Sequence, residues 1–423
     1  MADFTARETA LDLDKQDRLA HFREEFCFEE EDLIYLDGNS LGRLPKRTLE
    51  SFQNIVKNQW GRNLIRGWND GWIDSPSRIG AKVAQLIGAE SDEVVIGDST
   101  STNLFKLAVA GILYNKGRKK VITDNLNFPS DIYVLEGICE MLGGGLYLEV
   151  VKSSDEINGP VEDLRRAIDE NTALVVLSHT IYKSSYTYDM QAVTQIANES
   201  GAVMLWDMSH SVGSVPGNLH NSGAALAIGC TYKYLNGGPG ALAFLYVHRD
   251  WQQKLSNPIR GWFGHDKMFS FDLEYRRSPG IKHFLTGTPP ILSTLPIEKG
   301  VDLLLEAGMQ NLRQKSIELT EYAIQLWKEW LEPLGFTLKS PVDPNARGSH
   351  ITLGHPEGWR IDQALIGEMN VIPDFRKPDN LRLGFAPIYT SFYDVWEGFR
   401  RIKEVVEDRI YEKYSCETGN TVT

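Results

Sequence analysis

Between about residues 90 and 250 the chain alternates short β-branched runs with helical patterns, and no other feature restricts its fold so tightly. The strand-like runs span 94–96, 120–123, 146–151, 173–178, 202–206, 225–228 and 241–246, and helical stretches such as 103–113, 130–142, 160–168 and 189–200 separate most of them. These runs are apolar throughout, so both faces of their sheet must be covered, and crossover helices do this for parallel strands. The expected fold is α/β, with a mainly parallel seven-stranded sheet flanked by helices in a large domain. Ligands of such sheets sit at the carboxyl ends of the strands, so the chemistry is expected just after strands.

A Pro/Gly-rich stretch at 278–290 interrupts the alternation. An amphipathic segment (297–334) follows, weakened at Gly308, then a small α+β stretch and a C-terminal helix at 394–411. The expected division is a large domain at 50–296 and a smaller α+β domain formed by both termini, 1–49 and 297–423. The formal net charge of −13, with no block of like charges, argues against nucleic acid or an anionic membrane as partner. Cys27, Cys139, Cys230 and Cys416 are scattered without a CxxC pair, so neither a disulfide framework nor a metal site is expected. A polar, acidic N-terminus and the lack of any long apolar stretch lead to the expectation of a soluble, cytoplasmic protein.

The densest local signal is the run from Gly229 to Gly240, in which Lys233 follows an apolar run and precedes a glycine-rich loop. A lone lysine beside a turn is usually a surface residue. Here Ala227, Ile228 and aromatic neighbours suggest partial burial, which makes an ammonium costly, and desolvated lysines are the ones Schiff-base chemistry uses. Asp207 ends another strand-like run, 26 positions earlier. It could be a helix cap. Paired with Lys233, it fits the acid that keeps the ring nitrogen of pyridoxal 5′-phosphate (PLP) protonated. Residues 98–103 follow a strand and open a helix, which suits a phosphate cradle or a plain capping cluster. Phe128, Pro129, Ser130 and Asp131 also open a helix; Phe128 could stack on a planar cofactor, or be a core residue ahead of a proline at the first helical position.

Over nearly its whole length the chain resembles the kynureninase family, in the class V aminotransferase branch of fold-type I PLP enzymes. The motifs that carry the resemblance are YLDGNSLG (35–42), NFPSD (127–131), WDMSH (206–210), CTYKYLNGGPG (230–240), GWFGH (261–265), GTP (287–289) and RLGFAP (382–387). It implies PLP held on Lys233 as a Schiff base, Asp207 at the ring nitrogen, His210 as a further contact and Phe128 stacked on the ring within the Phe128–Asp131 segment. Ser178 fits a cofactor-contact position, and Thr100, Ser101 and Tyr232 fit phosphate contacts. Trp262 and Thr288 would reach in from the other subunit of a homodimer. Arg382 matches the residue that grips the substrate α-carboxylate, a bidentate task suited to guanidinium, with Ser40, Trp68 and Thr288 also at the substrate.

The implied reaction is hydrolysis of L-kynurenine to anthranilate and L-alanine in tryptophan catabolism, with Lys233 as base and Tyr232 relaying protons. The resemblance extends to 3-hydroxy-L-kynurenine, although Trp68 and Thr288 resemble the bacterial type, which prefers L-kynurenine. The segment 180–186 departs from the family pattern at Ile181 and near Ser185, which puts the local loop conformation in question. Competing readings are a cysteine desulfurase or selenocysteine lyase, an aminotransferase, or a catalytically silent PLP-binding protein. No cysteine is suitably placed for the first, and the intact set of Lys233, Asp207 and Arg382 argues against the last.

Overall fold

The computed structural model describes residues 3–416. Its large sheet contains β1 (Val94–Ile96), β2 (Lys120–Asp124), β3 (Tyr147–Val151), β4 (Thr172–Ser178), β5 (Val203–Asp207), β6 (Leu226–Gly229) and β7 (Phe244–Val247). The order across the sheet is β1-β7-β6-β5-β4-β2-β3. Every pairing is parallel except those of β7, which runs antiparallel to β1 and β6. All seven runs read from the sequence are strands. The last begins at Phe244 rather than 241, because Gly238 and Gly240 adopt left-handed φ of 86° and 77° and hold a turn ahead of it.

Both sheet faces are covered, as the apolar runs require. Along β4, Leu174 and Val176 enter one core with Leu104 and Leu107, while Val175 and Leu177 enter the other with Ile79 and Val83. Burying each such side chain stabilises the fold by about 1.5–3 kcal/mol. Helix α1 (Thr100–Tyr114) starts three residues before the expected 103, because the Ser99 hydroxyl caps it by accepting from Thr102 N–H at 3.2 Å. Helix α2 (Pro129–Leu142) starts at a proline, whose missing N–H costs nothing there.

The amphipathic segment breaks at Gly308, with φ 79°, into helices Ile297–Ala307 and Met309–Leu326. The first packs into the core under the large sheet, and Leu319, Tyr322 and Leu326 of the second into a separate core. That core also takes Ile34 and Leu36, helix Phe392–Glu407 and one face of a second sheet. The second sheet is antiparallel and consists of β8 (Thr337–Leu338), β9 (His350–Gly354), β10 (Asp374–Arg376) and β11 (Asn380–Gly384) in the order β10-β11-β9-β8. Ile34–Tyr35 pairs in parallel with Val371–Ile372, tying the N-terminal segment to this part of the chain.

Candidate active site

Parallel strands and the helices that follow them bring separate pieces of sequence to one edge of the large sheet. Asp207 ends β5 and is the register partner of Ser178, which ends β4. Lys233 follows β6 by four residues, and α1 and α2 both open on this edge. The Nζ of Lys233 lies 2.7 Å from Nε2 of His210 and 5.8 and 5.9 Å from the ring centres of Phe128 and Tyr232. Asp207 is buried and pinned, its Oδ1 accepting from Ser209 N–H at 2.8 Å and Ser209 Oγ at 2.6 Å.

Burial governs the electrostatics. It pushes the Asp207 carboxyl up, and pushes Asp131 well up, with the Asp207 charge adding to the effect. It drives His210 well below the usual imidazole value, with the Lys233 charge next in importance. His210 is therefore held neutral, and Nε2 is the ring nitrogen that meets Lys233 Nζ. Nδ1 of His210 and Oδ2 of Asp131 are both buried without a hydrogen-bond partner among the described residues. Two buried polar atoms left unpartnered beside one lysine and a second carboxyl group are costly unless a ligand satisfies them. The N-termini of α1 and α2 meet here too, with Ser101 Oγ and Ser130 Oγ 3.1 Å apart and Thr100 the first residue of α1, an arrangement that attracts phosphate. This donor set fits PLP: Phe128, 38% exposed, could offer a face to the ring, Asp207 is a buried carboxyl that could meet its nitrogen, and the two helix ends would suit its phosphate.

Arg382 comes from β11, and its side chain is 1% exposed. Its guanidinium donates to the Tyr182 carbonyl and to Ser40 Oγ, both at 2.7 Å, and pairs with Asp374, its cross-strand partner. Asp37 lies 3.8 Å away. The loop carrying Ser40 rests on the lysine loop through Gly42 N–H donating to the Tyr232 carbonyl at 2.8 Å. A Cβ at Gly42 would collide with the Lys233 carbonyl, so only glycine allows this approach.

Not every expected site residue joins this group. Trp68 packs on Trp72 and Phe263, at 5.5 and 6.0 Å between ring centres. Trp262 stacks edge-on against Phe263 and Phe269, and Thr288 lines a small cavity with Phe263, Leu285 and Asp98. These three form a separate cluster within the chain. Ser178 is buried and donates to Asn127 Oδ1 at 2.6 Å. Two further residues were not foreseen. Tyr182 sets its ring edge-on to Phe128 at 5.2 Å and 6.5 Å from His210, and His350 of β9 lies 5.9 Å from His210. Tyr182 lies in the segment 180–186 that departs from the family pattern; a positive φ at Ser185 (69°) shapes that loop. His350 had no local signal, since a histidine in an apolar strand reads as core.

The family description "Aminotransferase class-V" matches residues 34–353, and "Kynureninase C-terminal domain" matches 312–402. A kynureninase of Pseudomonas fluorescens is 42% identical over 424 residues, covering 99% of this chain and 100% of that protein. A kynureninase of Burkholderia mallei (strain SAVP1) is 39% identical over 422 residues, 99% of each chain. A cysteine desulfurase from Thermococcus onnurineus NA1 superposes with a TM-score of 0.78 over 92% of this chain and 98% of that one; at 19% identity this reflects the shared fold alone. The chain belongs to the kynureninase family, within the class V aminotransferases.

Proposed function

We propose that this chain is a PLP-dependent hydrolase that cleaves L-kynurenine to anthranilate and L-alanine, with 3-hydroxy-L-kynurenine as a second substrate. The observation that carries the reading is Lys233, held at 2.7 Å by a neutral His210 and facing the buried carboxylates Asp207 and Asp131 below Phe128. PLP, when bound, supplies an electron sink for the carbon atoms next to the substrate amine. The protein supplies position and protons. Lys233 would hold the cofactor and, once freed by substrate, would be placed to take the substrate α-proton, with neutral His210 against its amine. Asp207 would keep the ring nitrogen protonated. Tyr232, whose hydroxyl is held well above the usual phenol value by Cys230 and then by burial, stays protonated and so can donate a proton beside Lys233. Arg382 takes the α-carboxylate, with Ser40 orienting the guanidinium.

In this reading the part of the chain from about residue 50 to 296, joined by helix Ile297–Ala307 beneath the large sheet, binds the cofactor, while the described residues around the second sheet and helix Phe392–Glu407 form the smaller domain that brings Arg382 to it. Among the described residues no helix is long and apolar enough to cross a membrane, and we assign the protein to the cytoplasm. We also infer a homodimer with shared sites: Phe269, Phe271 and Leu273 are 57%, 74% and 105% exposed beside Trp262, an apolar surface of the kind a partner subunit covers. Trp68, Trp262 and Thr288 would then serve the partner's site.

Purified protein mixed with L-kynurenine should release anthranilate, followed by its fluorescence, with the 3-hydroxy substrate run in parallel. Lys233→Ala should abolish release and remove the cofactor link that borohydride traps on the chain. Cofactor trapped on Lys233 without anthranilate release would overturn the kynurenine reading, and trapping on the Lys233→Ala chain would overturn the lysine assignment.

A further inference from the structure

At the edge of the large sheet opposite Lys233, three residues from separate elements meet. Glu93 immediately precedes β1, His248 immediately follows β7, and His220 lies in the short helix Leu219–Ser222 ahead of β6. Since β1, β7 and β6 are neighbours, and β7 runs against the other two, the sheet brings all three to one rim. Glu93 is fully buried, its oxygens accepting from the backbone N–H groups of Glu90 at 2.9 Å and Arg249 at 2.8 Å. Nδ1 of His220 lies 3.1 Å from both of those oxygens. The His220 and His248 rings stack 4.9 Å apart and 20° from parallel. One ligand atom from each of the three residues lies within 4.8 Å of the other two.

We propose that Glu93, His220 and His248 bind a divalent transition metal of borderline softness, zinc being the best match, with water completing the coordination. Two imidazoles and a carboxylate are a ligand set suited to such an ion. Bonds of about 2.0–2.1 Å in a tetrahedron put ligand atoms roughly 3.3 Å apart, close to the His220–Glu93 spacing of 3.1 Å; the His248 ring, stacked on His220, must rotate out of the stack for its in-plane lone pair to reach the same ion. Two backbone N–H groups already fix the carboxylate, and such outer support holds a ligand in place. Binding exchanges the His220–Glu93 hydrogen bond for metal bonds, with the ring proton moving to Nε2 on a side chain one-third exposed. The long contact from Asp250 N–H to His248 Nδ1, 3.2 Å, is given up if that nitrogen coordinates. Glu90, Asp92 and Asp250 flank the cluster, and Arg249 is drawn off to Asp92 at 2.9 Å, so the surroundings favour a cation. The ion would staple the loops before β1, after β7 and before β6, and would take no part in the chemistry at Lys233.

The test uses untagged holoenzyme treated with a chelator, then titrated with Zn²⁺ by calorimetry and with Co²⁺ by visible absorption. One ion per chain is expected, with the d–d bands of nitrogen-bound cobalt and a higher melting temperature with zinc. His220→Ala and His248→Ala should each weaken binding at least about tenfold and remove the thermal effect. Absence of stoichiometric binding, or wild-type affinity in either variant, would overturn the proposal. Both side chains are partly exposed, so these variants should fold; Glu93 is left intact because its burial ties it to the backbone.

Discussion

Asp362 provides a quantitative test of how burial sets charge near Arg382. It lies in helix Gly358–Glu368, fully buried; among the described residues Oδ1 has no hydrogen-bond partner, and Oδ2 accepts from Gln363 at 3.1 Å. Burial pushes its carboxyl from 3.8 up to about 7, with the charges of Asp374 and Asp37, the two carboxylates around Arg382, adding to it. A carboxyl whose folded value is raised favours the fold most below the unfolded value, and that advantage is lost as pH rises towards the folded value. Between pH 5 and pH 8 the loss is about 3 kcal/mol, at about 1.4 kcal/mol per pH unit up to the folded value. If all 423 residues melt together, the melting entropy is roughly 0.9 kcal/mol per kelvin, so the loss is about 3 °C in Tm. Asp362→Asn keeps the shape and removes the titration. Scans of wild type and variant at both pH values, at one scan rate, should show a drop from pH 5 to pH 8 smaller by about 3 °C in the variant. Parallel shifts, equal to within about 0.5 °C, would refute the reasoning; the absolute Tm of the variant does not enter.

Three other outcomes follow from the geometry. Arg382→Lys keeps the charge but loses the planar fork, so KM for L-kynurenine should rise about 10–100-fold with a smaller change in kcat, read from initial rates of anthranilate release. Tyr182→Ala removes the edge-on contact with Phe128, and cofactor retention measured by dialysis should weaken by up to about tenfold, since such ring pairs contribute about 0.5–1.5 kcal/mol. Lys106 is fully buried and donates to Asp98 at 2.7 Å and to the Phe284 carbonyl at 2.9 Å. Lys106→Met should cost about 3–5 kcal/mol and lower Tm by a similar number of degrees, with Asp98→Asn restoring part of the loss.

Much of the site was legible because its main residues stand at the ends of strands that announce themselves. Asp207 and Lys233 each follow an apolar run, and Phe128–Asp131 opens a helix, so strand-end reasoning alone placed them at one rim. Thr100 and Ser101 open a helix after a strand as the sequence suggested, although that helix starts earlier than its apolar pattern because a cap residue leaves no trace in hydrophobic periodicity. Tyr182 and His350 gave no comparable sign. Each is a single aromatic ring whose role comes from what lies across from it.

The sequence alone determined the seven strands and the covering of both sheet faces. It also placed the lysine and its partner acid at strand ends, since all of these are written in patterns a few residues long. Only the tertiary structure decided that Arg382 reaches the carbonyl of Tyr182, 200 positions away, and that Glu93 lies against His220, 127 positions away. The order β1-β7-β6-β5-β4-β2-β3 sets those meetings, and strand order follows from how crossovers pack over the whole sheet, which no local pattern encodes. The same holds for the unpartnered atoms of His210 and Asp131. Their burial is a property of the assembled core, and burial turns ordinary polar side chains into a place where a charged, planar ligand is favoured.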